Sequence, residues 1–343
     1  MNNLLEQLNI KDTLIIGEVA QTHEGSVNIA HAFIDVIADG GANAVKFQTH
    51  IAAAESTRAE PWRVQFSKQD DSRYEYWQRM EFTEQQWLGL KQHADERGLL
   101  FMSSPFSLES VDLLDRIGME VWKIASGEVS NDVLLKRIIE TGKPVILSSG
   151  MSSVEEMDRA VALLKAADIS FAVLQCTSSY PSTADKVGMN MVPYFAERYQ
   201  CVSGISDHSG TIFPSLAAAS HGGQIFEIHV TMSPDMFGPD VPVSLTKQEL
   251  RQLVDGVAFN REMLANPVDK DTLAKELEPM RSLFNKSIVA KQAIKAGTTI
   301  SEEHLTLKKP GTGLSAKDIS QVVGKRLNCD YEMDQMISLK DLS

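Results

Sequence analysis

His208 and His229 each close a short apolar run, in Gly204-Ile205-Ser206-Asp207-His208 and in Glu227-Ile228-His229. Neutral imidazoles brought to neighbouring strand ends can share one divalent cation and leave positions open for water or substrate. Two ligands make a weak site, which suits a metal that also binds the substrate; the alternative is that each histidine is a structural hydrogen-bonding residue. Lys46 and Lys123 stand in apolar surroundings, Val45-Lys46-Phe47 and Trp122-Lys123-Ile124. A buried ammonium needs an anionic partner, so either these lysines pair with Glu18 and Glu128 or they await a phosphate or carboxylate. The hydroxyls of Ser104, Ser126, Ser148 and Ser206 end further apolar runs and would surround the same space. Together they suit a small phosphorylated anion, with a structural ion-pair and hydroxyl layer as the alternative. A sharper rival gives one lysine Schiff-base chemistry, since desolvation lowers an amine pKa. The segment from Glu18 to Gly25 is poor in glycine and holds no Walker-type phosphate cradle. His23, His31, His50, His93, His221 and His304 receive no role.

Something must position these groups. Eight short apolar runs, beginning near Leu14, Ala44, Leu99, Val121, Val145, Phe171, Val202 and Ile225, each end in such polar residues. Between them lie stretches of helical periodicity with legible starts. Thr83 with Gln86, Ser153 with Glu156, and Thr246 with Glu249 have capping-box spacing, and Trp87, Leu90 and Ala94 or Met157, Val161 and Leu164 form apolar stripes behind. Eight strand and helix alternations in roughly 265 residues predict an α/β fold, a (β/α)8 TIM barrel, with its chemistry at the C-terminal strand ends.

The chain has 343 residues, more than one barrel needs. The expected division is a catalytic barrel over 1–265, a linker over 266–282 punctuated by Pro267 and Pro279, and a small β-rich domain over 283–343. The 32 residues from Ile51 to Phe82 lack clear periodicity and hold Arg58, Arg63, Arg73, Arg79, Trp62, Tyr74, Tyr76 and Trp77. Long insertions after barrel strands serve as lids or substrate walls. A net charge of -13 argues against nucleic acid or an anionic membrane as partner. No run reaches the ~18 apolar residues of a membrane span, and Met1 to Lys11 lacks the apolar core of a signal peptide, so the expected location is the cytoplasm. Cys176, Cys201 and Cys329 are too few and too scattered for a disulfide framework.

Several separated motifs carry a resemblance. Val45-Lys46-Phe47-Gln48-Thr49, Trp122-Lys123-Ile124-Ala125-Ser126-Gly127-Glu128, Leu147-Ser148-Ser149-Gly150-Met151, Cys176-Thr177 before Tyr180-Pro181, Gly204-Ile205-Ser206-Asp207-His208 and Gly238-Pro239-Asp240 resemble the signatures of the sialic acid synthase family in order and spacing. The tail, with Lys309-Pro310-Gly311-Thr312-Gly313, resembles the antifreeze-like (SAF, β-clip) domain that ends such enzymes.

The resemblance implies condensation of phosphoenolpyruvate with an N-acylated amino-hexose to a nine-carbon 2-keto acid and phosphate. It implies that Lys46, Lys123, Ser104, Ser126, Ser148 and Ser206 bind phosphoenolpyruvate, and that His208 and His229 hold Mn2+, with Mg2+ or Co2+ as alternatives. Glu18, Gln48, Tyr180 and Asp240 would meet the open-chain sugar, Glu128 would stand near the reacting carbons, and Lys309 would recognise the N-acyl group. A domain-swapped homodimer follows by the same likeness.

The chain departs from the family pattern at Gln21-Thr22-His23-Glu24-Gly25, Ser178, Ile228 and Lys309, the last replacing an arginine and so losing its planar fork. These departures bear on the sugar, which is N-acetylmannosamine or a 2,4-diacetamido-2,4,6-trideoxyhexose. A different phosphoenolpyruvate-condensing or Schiff-base aldolase barrel and a non-catalytic sugar-binding protein are the rival readings.

Overall fold

Inward and outward residues alternate along the eight strands of the first unit, and that alternation builds the site. The computed structural model describes residues 4–343; the first three residues of the Met1 to Lys11 segment lie outside the described residues. Strands β1 (Leu14–Ala20), β2 (Ala44–Thr49), β3 (Leu100–Pro105), β4 (Trp122–Ile124), β5 (Val145–Ser148), β6 (Phe171–Cys176), β7 (Val202–Asp207) and β8 (Ile225–His229) pair in parallel and close into a barrel in chain order. With a side-chain period of two, Leu14, Ile16, Ala44, Met102, Ile146, Ala172 and Ile225 pack together as one inner apolar cluster. Two residues further along the same faces come Glu18, Lys46, Ser104, Ser148 and Glu227. Each strand therefore begins apolar inside and ends polar inside, and the polar layer lies towards the C-terminal ends.

The alternate residues, among them Ile15, Val45, Phe101, Trp122, Leu147, Val173 and Phe226, join the larger core between barrel and helices. The helices at Glu84–Glu96 and Val154–Ala166 start with the expected capping boxes at Thr83 and Ser153. Thr246 and Glu249 make the same reciprocal bonds at the start of Lys247–Ala265. A short helix, Leu4–Gln7, places Leu4 and Leu5 fully buried in the inner cluster, where they close the N-terminal end of the barrel. Strands β7 and β8 approach so closely that a Cβ on Gly204 would lie 1.8 Å from the Ile225 carbonyl oxygen, so only glycine fits there.

The segment from Ile51 to Phe82 does contain helix, Ala52–Glu55 and Arg73–Met80, the latter opened by a Ser72/Glu75 capping box that its polar composition concealed. Arg79 ties it down by pairing with Asp70 at 2.8 Å and with Glu24 at 3.1 Å.

The second unit, Asn266–Ser343, has its own core of Ile288, Ala290, Ile294, Ile300, Val322, Leu327, Tyr331 and Ile337. Short exposed helices, Lys270–Glu276 and Glu278–Phe284, occupy most of the segment expected to be a linker. β9 (Ser287–Ala290) and β10 (Leu305–Lys308) form an antiparallel pair. Elsewhere in this β-rich unit the pairing is reduced to isolated bridges, among them Thr299 to Arg326 and Val289 to Met336.

Candidate active site

Two ammonium groups and two carboxylates occupy the polar layer of the barrel. Register sets Glu18 beside Lys46 on β2 and beside His229 on β8. Lys46 Nζ lies 2.7 Å from Glu18 and 3.6 Å from Glu227. Lys123 Nζ lies 3.4 Å from Glu227 and donates to Ser148 Oγ at 2.7 Å. Ser206 donates to Glu227 at 3.1 Å, and Gln48 Nε2 donates to Glu18 at 2.9 Å. The lysines are 2–3% exposed.

The pairing expected of Lys123 is corrected here. Glu128 accepts instead from Asn131 at 2.8 Å, half-buried, and burial raises its carboxyl above the usual range. Glu227 takes its place. Its signal in the sequence is the strand period: Ile225, Glu227 and His229 share one face of β8, so an acidic residue there points inward at the lysines.

Burial alone would raise the Glu227 carboxyl, but Lys123, then Lys46 and His229, overcome it and hold it down at about 2. Burial raises Glu18, opposed by Lys46 and Gln48. Lys123 is pulled below the ordinary lysine value, chiefly by burial, whereas Glu18 and Glu227 overcome burial at Lys46 and hold it charged. Two lysines with two glutamates leave the layer without net charge, so an entering anion has cations beside it without a standing field that would unfold the barrel.

His208 and His229 stand with ring centroids 5.1 Å apart. Burial lowers both imidazoles to about 3, so both are neutral and able to ligate. His208 Nδ1 faces the Thr177 carbonyl at 3.1 Å, which directs its lone pair to Nε2, where the Tyr180 hydroxyl sits at 3.0 Å. His229 Nδ1 is buried without a hydrogen-bond partner. Neutral rings, a fixed tautomer and an orphaned nitrogen fit a divalent cation. Among the described residues no group of three His, Cys, Asp or Glu converges as a metal cage, so water or substrate would fill the other positions.

A cavity of about 460 Å³ opens above this layer. Gln48, Glu128, Tyr180, His229 and Asp240 line it, and burial raises the Asp240 carboxyl. His50 and Phe106, without an assigned role above, also line it, as do Trp62, Arg63, Tyr76 and Trp77 from the long insertion, the segment expected to form a lid or substrate wall. Arg63 lies over the Tyr180 ring at 4.9 Å. Ser104 is buried with its hydroxyl unpartnered, whereas Ser126 is only partly buried, 3.4 Å from the Ser178 hydroxyl. Lys309 is in the second unit, exposed, its ammonium 4.9 Å from the Phe284 ring centroid.

Comparison with known proteins agrees with this architecture. The NeuB family model matches residues 33–269 and the SAF domain model residues 285–343. N,N'-diacetyllegionaminic acid synthase of Campylobacter jejuni is 34% identical over 96% of this chain and 99% of its own length. Human N-acetylneuraminate-9-phosphate synthase is 30% identical over 94% of this chain and 90% of its own. The crystal structure of N-acetylneuraminic acid synthetase from Leptospira borgpetersenii in complex with citrate superposes with a TM-score of 0.69 and 29% identity, covering 79% of this chain and 92% of that one.

Proposed function

Because the chain belongs to the NeuB family, ends in a SAF domain and is an enzyme of the nonulosonic acid synthase type, we propose that it condenses phosphoenolpyruvate with a free N-acylated amino-hexose. The products are a nine-carbon 2-keto acid and phosphate. The observation that carries this reading is the neutral Lys46, Glu18, Lys123, Glu227 layer beside two neutral imidazoles. It offers ammonium and hydroxyl donors to a phosphate and a ligand pair to a cation within one barrel mouth.

In this mechanism Lys46, Lys123, Ser104, Ser126, Ser148 and Ser206 hold the phosphate and carboxylate of phosphoenolpyruvate, and Lys123 regains through the phosphate what burial takes from its charge. Gln48, Tyr180 and Asp240 orient the open-chain sugar so that its aldehyde carbon faces C3 of phosphoenolpyruvate. His208 and His229 would hold Mn2+, with Mg2+ or Co2+ as substitutes, which supplies Lewis-acid polarisation of the aldehyde oxygen when bound. As C3 bonds to that carbon, positive charge develops at C2. Glu128, its carboxyl already raised by burial, takes a proton from the water that adds at C2. The lysine and serine donors then stabilise the phosphate that leaves with its oxygen by C–O cleavage. Glu18 holds Lys46 in place, and the aromatic wall of the 51–82 insertion excludes competing water.

The wall also bears on the acceptor. Arg73 is paired with Glu60 at 3.0 Å and Arg79 with Asp70 and Glu24, whereas Arg63 faces the cavity with no ion pair among the described residues, its charge bearing on the Asp240 carboxyl. One cation poorly matches a sugar phosphate, and Trp62, Phe66, Tyr76, Trp77 and Phe106 suit apolar substituents. The favoured acceptor is accordingly a 2,4-diacetamido-2,4,6-trideoxyhexose, with N-acetylmannosamine as the second reading. In the same reading residues 1–265 carry catalysis, 266–282 connect, and 283–343 supply Lys309 for the N-acyl group within a homodimer in the cytoplasm. The test is phosphate release with phosphoenolpyruvate, Mn2+ and each acceptor, with product mass read by spectrometry. No release with any amino sugar overturns the proposal.

A further inference from the structure

We infer that Glu55, fixed in place by His50, is a further acceptor-binding residue whose free carboxylate oxygen takes a hydrogen bond from a hydroxyl or amide N–H of the open-chain amino sugar. The inference rests on the proposal that the cavity receives such a sugar.

His50 is buried and lies flat between two aromatic rings, 4.0 Å and 18° from Trp77 and 4.6 Å and 8° from Phe106. Its Nδ1 is 2.7 Å from Glu55 Oε1 and its Nε2 is 3.4 Å from Gln48 Oε1. The Gln48 amide is oriented independently, because its Nε2 donates to Glu18 and its Oε1 accepts from Gln21 at 3.1 Å. Both ring nitrogens of His50 therefore face acceptors. The stack between Trp77 and Phe106 holds the ring plane, and Nδ1 is directed at Glu55. That contact clamps one oxygen of Glu55.

The other oxygen, Oε2, is buried and has no hydrogen-bond partner, although the Glu55 side chain is only 8% exposed and lines the cavity. A buried carboxylate oxygen left bare is costly unless a ligand completes it. Glu128 and Asp240 line the same cavity, and the Glu55 charge adds to burial in raising Glu128. Glu60 lines it too but is paired with Arg73, so the carboxyl oxygens of Glu55, Glu128 and Asp240 call for a ligand rich in O–H and N–H donors. That is the chemistry of an acylamino sugar, not of phosphoenolpyruvate.

The experiment compares steady-state kinetics of the wild type, Glu55→Gln and His50→Phe, with Mn2+ present and each substrate varied in turn. Glu55→Gln is expected to raise the acceptor KM roughly 10- to 100-fold while the KM for phosphoenolpyruvate stays within about twofold; His50→Phe, which keeps the stack but frees Glu55, should give the same split in smaller measure. An unchanged acceptor KM, or an equal rise for both substrates, overturns the inference. If Glu55→Gln does not fold, acceptors lacking one hydroxyl or amide N–H each are compared on the wild type. One of them must lose about tenfold in kcat/KM, and a uniform series overturns the inference. Wild-type turnover of an amino sugar together with an unaltered variant defeats this inference alone, whereas absent wild-type turnover defeats the underlying proposal.

Discussion

Lys123 on β4 and Glu227 on β8 reach towards each other from opposite strands of the barrel and meet at 3.4 Å. Glu227 is shared, since Lys46 also lies 3.6 Å from the same oxygen. One carboxylate thus serves two buried cations, and Glu18 serves only one of them.

Removing that shared charge should cost more than an ordinary core substitution. Glu227→Gln leaves two ammonium groups with one carboxylate, and breaking a buried pair in this way costs about 3–5 kcal/mol. The urea midpoint of the variant is expected to fall accordingly. Millimolar inorganic phosphate should recover more of the loss in the variant than in the wild type, because only a ligand that binds the folded cations shifts the equilibrium. Equal midpoints for variant and wild type would remove the charge layer from the argument.

Metal removal is the second expectation. If His208 and His229 hold a cation as proposed, two imidazoles would hold it weakly, so dialysis against a chelator should abolish turnover and Mn2+ should restore it. His208→Ala is expected to lose at least 100-fold in kcat with little change in unfolding midpoint, since the ring's polar contacts are the Thr177 carbonyl, the Tyr180 hydroxyl and a long one to Cys176 Sγ at 4.0 Å. Full activity in metal-stripped buffer would exclude a role for the histidine pair in catalysis.

The barrel was legible because its strands repeat one rule, apolar then polar on the inward face, with capping boxes marking the helices between. Lys46, Lys123, His208 and His229 stood out because ionisable residues at apolar positions are expensive. Glu227 was less visible because its partners come from strands two and four, which only barrel closure brings to strand eight. His50 and Glu55 were invisible for a related reason: their roles depend on Trp77 and Phe106, residues from a polar insertion and from the loop after β3 that share no period with them. The short helices of that insertion and of residues 270–284 lack the apolar stripe by which a helix announces itself, and none of the residues 270–284 is buried.

Lys123, which burial pulls below the ordinary lysine value, invites an imine, and the geometry separates the two chemistries. Lys123 Nζ is already engaged by Ser148 and Glu227, an arrangement that presents an ammonium to a phosphate and leaves no free lone pair for a carbonyl. Incubation with pyruvate and borohydride is therefore expected to leave the chain mass unchanged while the same protein releases phosphate from phosphoenolpyruvate. A stable adduct on Lys123 or Lys46 would transfer the protein to the Schiff-base class.

His23 gives a pH test remote from the metal ligands. Its ring is fully buried against Phe82, with centroids 4.8 Å apart, and its Nδ1 accepts from the Gly25 backbone N–H at 3.1 Å. Burial, helped by His50 and Arg79, lowers the imidazole from 6.5 to about 3. Between those values the unfolded chain takes up a proton that the native chain refuses, so this histidine's contribution is complete above about pH 6.5 and is lost as pH falls towards 3, at up to ~1.4 kcal/mol per pH unit. His23→Leu removes the titration and leaves the Gly25 N–H bare. The variant should be less stable than the wild type at pH 8, and the gap should narrow steadily at pH 6, 5.5 and 5 in urea unfolding. Parallel stability curves across that range would mean that His23 is already protonated in the native protein, and with it that the Gly25 bond is absent.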